Sequence, residues 1–426
     1  MERVVLLCPP RAALDVSVAS AHRSRAAVAR DMLRSLRAFA DRSVPRGTPV
    51  SYLPGAGALV IPEGTTLTGL GTDTISVFPN EWRAAQIGRT VDSAFFEKLK
   101  RFANFFRGAK PRAADTAHLD EMGVPNYRRQ TNSSGRNVVV GVLDTGIAKH
   151  PDFDDRIRDF VTVDPSGVVA RAQPADPQGH GTHVSGLIAG KHTGVAPDAR
   201  LSVARIFSPA AICGSHAKGP CYDTVQFASG LSWLVSGLFE READGRILTV
   251  TSEVTADVVN LSAGHDGEVA AYVAPIETAR ALFGVQLIAA IGQDEKHLAP
   301  AGADDSPGHL SSVLGVGSLD ALGDVWEFGD WRNTQGTLGL AVHPKPDVVC
   351  PGGGQVQSCD SLSGYRYMVG TSMSCGLVSG IAALLLEQHS HLRHDPAGLL
   401  ANVTTLTVPL TTPRGARVRH GRMKLS

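Results

Sequence analysis

Three short segments of the chain put a reactive side chain where a strand ends or a helix begins. Val138-Val139-Val140-Gly141-Val142-Leu143 is an apolar run that delivers Asp144 into the turn Thr145-Gly146. A carboxylate closing a buried strand has to be hydrogen-bonded or paired, because a lone buried charge is costly. Gly179-His180-Gly181-Thr182-His183 sets an imidazole between glycines at the mouth of a helix of small residues, where other backbone can approach closely. Gly370-Thr371-Ser372-Met373-Ser374 opens the apolar helix Leu377–Leu386. A hydroxyl there sits among the free N–H groups and the positive dipole end of a helix amino terminus. Singly, each has an ordinary reading: Asp144 a turn or Ca²⁺ residue, His180 a structural or metal histidine, Ser372 an N-cap. His180 and His183 do not make a metalloprotease zinc helix, which wants His-Glu-x-x-His at i, i+4, whereas here the spacing is i, i+3 without the Glu. Together, an Asp followed 36 residues on by a His and 192 later by a Ser, each in its own distinctive context, form a far stronger signal than any one segment alone.

Positioning these groups requires a particular framework. From Asn137 onward, apolar runs (Val138–Leu143, Ser202–Ile206, Val258–Leu261, Gln286–Ile291, Val313–Val316) alternate with helical segments from about Gly181, near Val225–Phe239 and near Val269–Leu282. Near-continuous apolar strands separated by helices predict an α/β fold with a mostly parallel, doubly wound sheet flanked by helices. Residues 1–80 read differently, as a small α+β domain. Val4–Cys8 is a strand, Arg25–Phe39 an amphipathic helix, and Val50–Leu53, Ala58–Ile61 and Thr74–Phe78 are further strands. Residues 81–118 form a helix-prone linker, with Phe95, Phe96, Leu99, Phe102, Phe105 and Phe106 on one face, and 119–426 make the large domain. The basic, Gly-containing stretch Arg414–Lys424 reads as a solvated tail.

Composition removes several classes. With 426 residues, 43% hydrophobic and 19% charged, the chain is globular and long enough for a large domain plus a small one. Forty-one basic and 41 acidic side chains leave no net field to hold nucleic acid or an anionic membrane. The amino-terminal run Val4–Cys8 is too short for a signal-peptide core, and no stretch of about 18 apolar residues occurs, so the expectation is a cytoplasmic protein without membrane partners. Six cysteines are too few for a disulfide scaffold. Cys213 with Cys221, and Cys350 with Cys359, are spaced to close short bridges, the alternative being free buried thiols; Cys8 and Cys375 read as unpaired.

The three segments, in this order, resemble the Asp, His and Ser signatures of the subtilisin-like serine peptidases, the subtilases, and the similarity covers most of residues 118–424. Val258-Val259-Asn260-Leu261-Ser262-Ala263-Gly264 is similar to the family's substrate-lining strand, and Gly194-Val195-Ala196-Pro197 to the segment after its His helix. The first 80 residues resemble the family's small inhibitory propeptide, Thr74–Asn80 being its last strand and carboxyl end. The resemblance implies a serine endopeptidase made as an autoinhibited zymogen. Its partners would be a peptide or protein substrate and its own amino-terminal domain. Ser372 would be the nucleophile, His180 the base and Asp144 the orienting acid. Ser262, Ala263 and Gly264 with Ala289, Ala290, Ile291 and Gly292 would wall the pocket, while Arg205, Ile206 and Phe207 would offer strand edges to substrate. A propeptide and paired cysteines raise secretion as the alternative compartment.

Three positions depart from the family pattern. Where the family has an Asn as second oxyanion donor, this chain has Gln293, with the same carboxamide on a stem one methylene longer. Where the family continues Met-Ala-x-Pro after the Ser, this chain has Met373-Ser374-Cys375-Gly376. A Gly in place of that Pro would open space behind the nucleophile, which raises a peptide ligase or cyclase as an alternative, and the two departures together raise a catalytically impaired binding module. The connection Ala189-Gly190-Lys191-His192-Thr193-Gly194 is too short for the Ca²⁺ loop that many relatives carry. Asp152, Asp154 and Asp155 are nearby oxygen donors, but the expectation is no required metal or cofactor.

Overall fold

The computed structural model describes residues 4–9, 24–68, 75–79, 82–84, 114–209, 220–266, 270–293, 305–333 and 344–425. The apolar face expected at Phe95–Phe106 lies outside them.

The amino-terminal unit comprises β1 (Val4–Cys8), the helix Arg25–Ser43, β2 (Val50–Leu53), β3 (Ala58–Pro62), β4 (Ser76–Pro79) and a short β5 (Trp82–Ala84). Side chains of a strand alternate between faces, so β1 serves two cores at once. Val5 and Leu7 pack with Met32, Leu36 and Phe39 of the unit's own helix. Val4, Leu6 and Cys8 face the other way, into a core shared with the large domain.

The large domain supplies β6 (Val139–Asp144), β7 (Ile157–Val163), β8 (Val169–Arg171), β9 (Arg200–Arg205), β10 (Cys221–Asp223), β11 (Leu238–Ala243), β12 (Arg246–Thr251), β13 (Val258–Leu261), β14 (Gln286–Ala290), β15 (Leu314–Leu319), β16 (Val348–Pro351), β17 (Val356–Cys359), β18 (Tyr365–Met368), β19 (Thr407–Val408) and β20 (Gly421–Met423). Ten of them form one sheet in the order β19-β20-β16-β15-β14-β13-β6-β9-β7-β8. It is parallel from β7 to β20, with an antiparallel strand at each edge. Helices His180–Ala189 and Thr371–Gln388 pack on one face, and Thr224–Ser236 and Val273–Phe283 on the other. The doubly wound expectation therefore holds. In such a sheet, loops at the carboxyl ends of the strands build the crevice, and Asp144, Arg205, Leu261 and Ala290 all end strands there.

Three local expectations change. The helix near Val225–Phe239 stops at Ser236, capped by Gly237 at φ 67°, and Phe239 begins the hairpin β11–β12. That hairpin does not join the ten-stranded sheet of its own domain. It extends the amino-terminal one, giving the order β12-β11-β2-β3-β1-β4, with Glu240 opposite Tyr52. The expected solvated tail instead enters the main sheet as β20. Met423 and Leu425, buried to 2% exposure, alternate with the charged Arg422 and Lys424, a period-2 pattern that the basic composition masks.

Candidate active site

Asp144 ends β6 with its side chain fully buried. Its Oδ1 accepts hydrogen bonds from Thr145 N (2.7 Å) and His180 Nδ1 (2.8 Å). His180 begins the His180–Ala189 helix, and the next residue explains how the helix approaches so near. A Cβ on Gly181 would lie 2.1 Å from Gly146 O and 3.0 Å from the Asp144 side chain, so only glycine fits. The far ring nitrogen, His180 Nε2, is buried and has no hydrogen-bond partner among the described residues. His183, one turn on, is held apart from this chemistry. Burial, helped by the Arg366 charge, pushes its imidazole down to about 3, and its Nε2 faces the carbonyls of Val356 and Arg366.

Ser372 is the second residue of the helix Thr371–Gln388 and is 3% exposed. Its Oγ donates to Ser262 O at 2.9 Å, and Ser262 Oγ donates to Ser372 O at 2.9 Å. Asn260 on β13 supports this pairing: its Nδ2 donates to Ser262 Oγ, and its Oδ1 accepts from Ser379 and Cys375 on the Ser372 helix. Burial raises the Cys375 thiol to about 12, so it is a neutral donor. Gln293 follows β14 and reaches the same helix start, where its Oε1 accepts from Thr371 N at 3.1 Å. With the oxygen fixed there, the NH₂ end of the carboxamide is the one able to donate. The N–H of Ser372 lies in the first helical turn, where the helix itself offers no carbonyl.

The pocket and edge expectations divide. Leu261 and Ala289 are register partners, so the segments leaving β13 and β14 emerge side by side, which places Ser262–Gly264 near Ile291–Gly292. Ala289 and Ala290 themselves are strand residues packed into the cores on opposite faces of the sheet, and so do not project into a pocket. Arg205–Phe207 offer no open edge. Arg205 is paired to Asp144 on one side and Thr162 on the other, Ile206 N donates to Asp144 O, and Phe207 packs edge-on against Tyr222. Beyond them, β10 carries β5 in antiparallel register, Cys221 opposite Ala84 and Asp223 opposite Trp82.

Gly376 does not open space. A Cβ there would meet Val184 O at 3.2 Å and Leu187 Cβ at 3.4 Å, so the glycine serves close packing of the two helices that carry His180 and Ser372. The ligase reading loses its motive with that space. Cys350 and Cys359 are also not bridged. Cys350 points from β16 at Ser374 O, while Cys359 lies on the β17–β18 hairpin against Gly186; both are buried free thiols, as are Cys8 and Cys375. Cys221 is disulfide-bonded, and Cys213 lies outside the described residues.

The acidic residues weighed for Ca²⁺ do not converge. Asp154 is exposed and 3.7 Å from Arg156, while Asp152 points inward and accepts from His192 N, His192 Nδ1 and Tyr365 OH. Burial alone would raise the Asp152 carboxyl, but the bonds from Tyr365 and His192 outweigh it and leave the group below its ordinary value. Among the described residues, His150, Asp152 and Cys359 are close enough to share an ion. Both His150 nitrogens are already committed, to Asp152 N and Gly364 O, so the group does not fit a metal without losing existing bonds.

Residues 135–406 match the profile of the subtilase family. The chain belongs to that family. The subtilase is 28% identical over 307 residues to serine protease AprX of Bacillus subtilis, covering 66% of this chain and 63% of AprX. It is 31% identical over 282 residues to the subtilisin-like protease PopC of Myxococcus xanthus, covering 62% of this chain and 54% of PopC. Subtilisin Savinase of Lederbergia lenta is 30% identical over 262 residues, 60% of this chain and 78% of Savinase. The subtilase thus spans less than two thirds of AprX and of PopC. A solved structure of a cold-adapted subtilisin-like serine proteinase shares its fold, with a TM-score of 0.52, 24% identity, and coverage of 69% of this chain and 91% of that one.

Proposed function

We propose that this subtilase is a serine endopeptidase, with Ser372 as nucleophile, His180 as general base and acid, and Asp144 as the residue that orients the imidazole. The observation that supports the reading is the buried 2.8 Å bond from His180 Nδ1 to Asp144, which orients the ring and leaves Nε2 buried without a partner among the described residues. Ser372 Oγ turns from Ser262 O to Nε2, which takes its proton as Oγ attacks the peptide carbonyl. The proton then passes to the leaving amine, the acyl-enzyme remains on Ser372, and water activated by the same imidazole releases the acid. Ser372 N–H and the Gln293 carboxamide are the donors for the oxyanion.

In the same reading the amino-terminal unit is the inhibitor. Its strand β5 occupies the edge of β10 as an extended peptide would, and a cut between residues 85 and 113 would make β5 a free carboxyl end that can leave that edge while the rest of the unit stays attached. Peptide or protein chains are then the substrates. The disulfide at Cys221 favours an oxidising compartment over the cytoplasm.

A fluorophosphonate probe tests the reading. After cleavage of the connection, labelling is expected in the parent protein and absent in Ser372→Ala. No labelling of the cleaved parent would leave a non-catalytic binding module as the better account.

A further inference from the structure

The proteolytic reading uses Asp144, His180 and Ser372; a second buried carboxylate stands behind the first two. Asp176 is 7% exposed and accepts five hydrogen bonds. Oδ1 takes Thr145 Oγ1 at 2.8 Å, Gly179 N at 2.8 Å and Gln178 N at 3.2 Å. Oδ2 takes Thr182 N at 2.8 Å and Thr182 Oγ1 at 2.7 Å. These donors come from the two segments that must be held together for His180 to meet Asp144. Thr145 follows Asp144, its N–H binds Asp144 Oδ1, and its Oγ1 accepts from Gly181 N. Gly179 and Thr182 flank His180, and Thr182 Oγ1 also accepts from Ala148 N in the Asp144 loop.

The helix bearing His180 has no side-chain cap from its own N-cap residue, Gly179. Its first free N–H groups are satisfied from outside, by Thr145 Oγ1 and by Asp176, so the bonds that terminate the helix are the same bonds that set its distance from β6. We propose that Asp176 is a positioning residue: it locks the Asp144 turn to the His180 helix and thereby keeps the imidazole on Asp144. This rests on the proteolytic reading for its consequence in rate, but not for the geometry it claims. An amide at 176 keeps the shape and turns an NH₂ toward donors that need an acceptor, so one side of the clamp opens. A misplacement of about 1 Å at a reacting group costs about 10²-fold.

The test uses the full chain and two readouts. The proton shared by His180 Nδ1 and Asp144 gives a far-downfield resonance in a one-dimensional proton spectrum, assigned by its loss in His180→Ala. In Asp176→Asn this resonance is expected to vanish or move upfield. After cleavage of the connection, kcat on a peptide substrate is expected to fall about 10–100-fold with KM within twofold. Should Asp176→Asn not fold, Thr145→Val removes one donor to Asp176 and the acceptor of Gly181 N, and is expected to move both readouts in the same direction by a smaller factor. An unchanged resonance in a folded Asp176→Asn, with only a lowered melting temperature, would overturn the proposal, since that is what a plain helix cap would do. If the parent shows the resonance and its dependence on Asp176 but no turnover, the clamp stands and the proteolytic reading fails.

Discussion

Ser262 and Ser372 exchange hydrogen bonds: the hydroxyl of each donates to the backbone carbonyl of the other, both at 2.9 Å. The end of β13 and the start of the Ser372 helix are thereby joined at the point where substrate and nucleophile would meet. Ser262→Ala removes one bond of the pair and leaves Asn260 Nδ2 without its acceptor. A buried donor left unpaired costs about 1–3 kcal/mol. The expected result is a loss of that size in urea unfolding, measured in a Ser372→Ala background to prevent self-digestion.

Gln293 Oε1 accepts from Thr371 N, and the proposed mechanism uses the NH₂ of the same carboxamide as an oxyanion donor. Gln293→Leu should lower kcat by about 10²–10³ with little change in KM, as for loss of one such donor. Steady-state kinetics on a chromogenic peptide check this. A fall of less than threefold would remove Gln293 from the site.

Asp152 gives the fold an acid-sensitive brace. Its folded-state carboxyl sits below the ordinary 3.8, so its contribution is present above that value and is lost as pH falls through the lower, folded value. The melting-temperature gap between the parent and Asp152→Asn should therefore be constant from neutral pH to about 5 and close below about 4. Thermal melts across that range decide it; a gap that widens on acidification would contradict the sign.

The thiols offer a count. Burial raises Cys8 to about 12 and pushes Cys350 and Cys359 higher still, so none of these is a thiolate at pH 8. The native protein should react negligibly with a thiol reagent, the denatured protein should show the four free thiols, and reduction should expose the remaining cysteines. Six thiols before reduction would argue for a reducing compartment.

The amino-terminal unit should remain attached after a cut in the connection. Arg25 from this unit enters the large domain and donates to Ala256 O (2.7 Å), Phe283 O (3.0 Å) and Arg393 O (2.8 Å), with Asp257 beside it. Glu240 of the hairpin β11–β12 pairs with Arg37. A single charged hydrogen bond is worth about 1.5–3 kcal/mol, so Arg25→Met, which removes several, should weaken retention by at least about 10-fold. Gel filtration of protein cut at an inserted protease site reads this directly: co-elution is expected for the parent, and separate elution with the hairpin replaced by a short turn.

The sequence alone determined the parts whose signals are local. An apolar run ending in Asp144, a Gly-flanked His180 before small residues, and Ser372 ahead of an apolar helix each name their element and end within a few positions. The parallel doubly wound sheet was likewise readable, because buried strands and amphipathic helices carry their periods in the chain itself. Only the tertiary structure decided what depends on register and approach between distant segments. It put β11–β12 into the amino-terminal sheet, brought β5 to β10, drew the basic carboxyl terminus into the main sheet and kept Cys350 away from Cys359. It also revealed Asp176, whose only sequence sign is an Asp-Pro turn four residues before His180. Such pairings are set by which edges and faces remain unsatisfied after the local elements form. That remainder is a property of the packed whole, not of any window of residues.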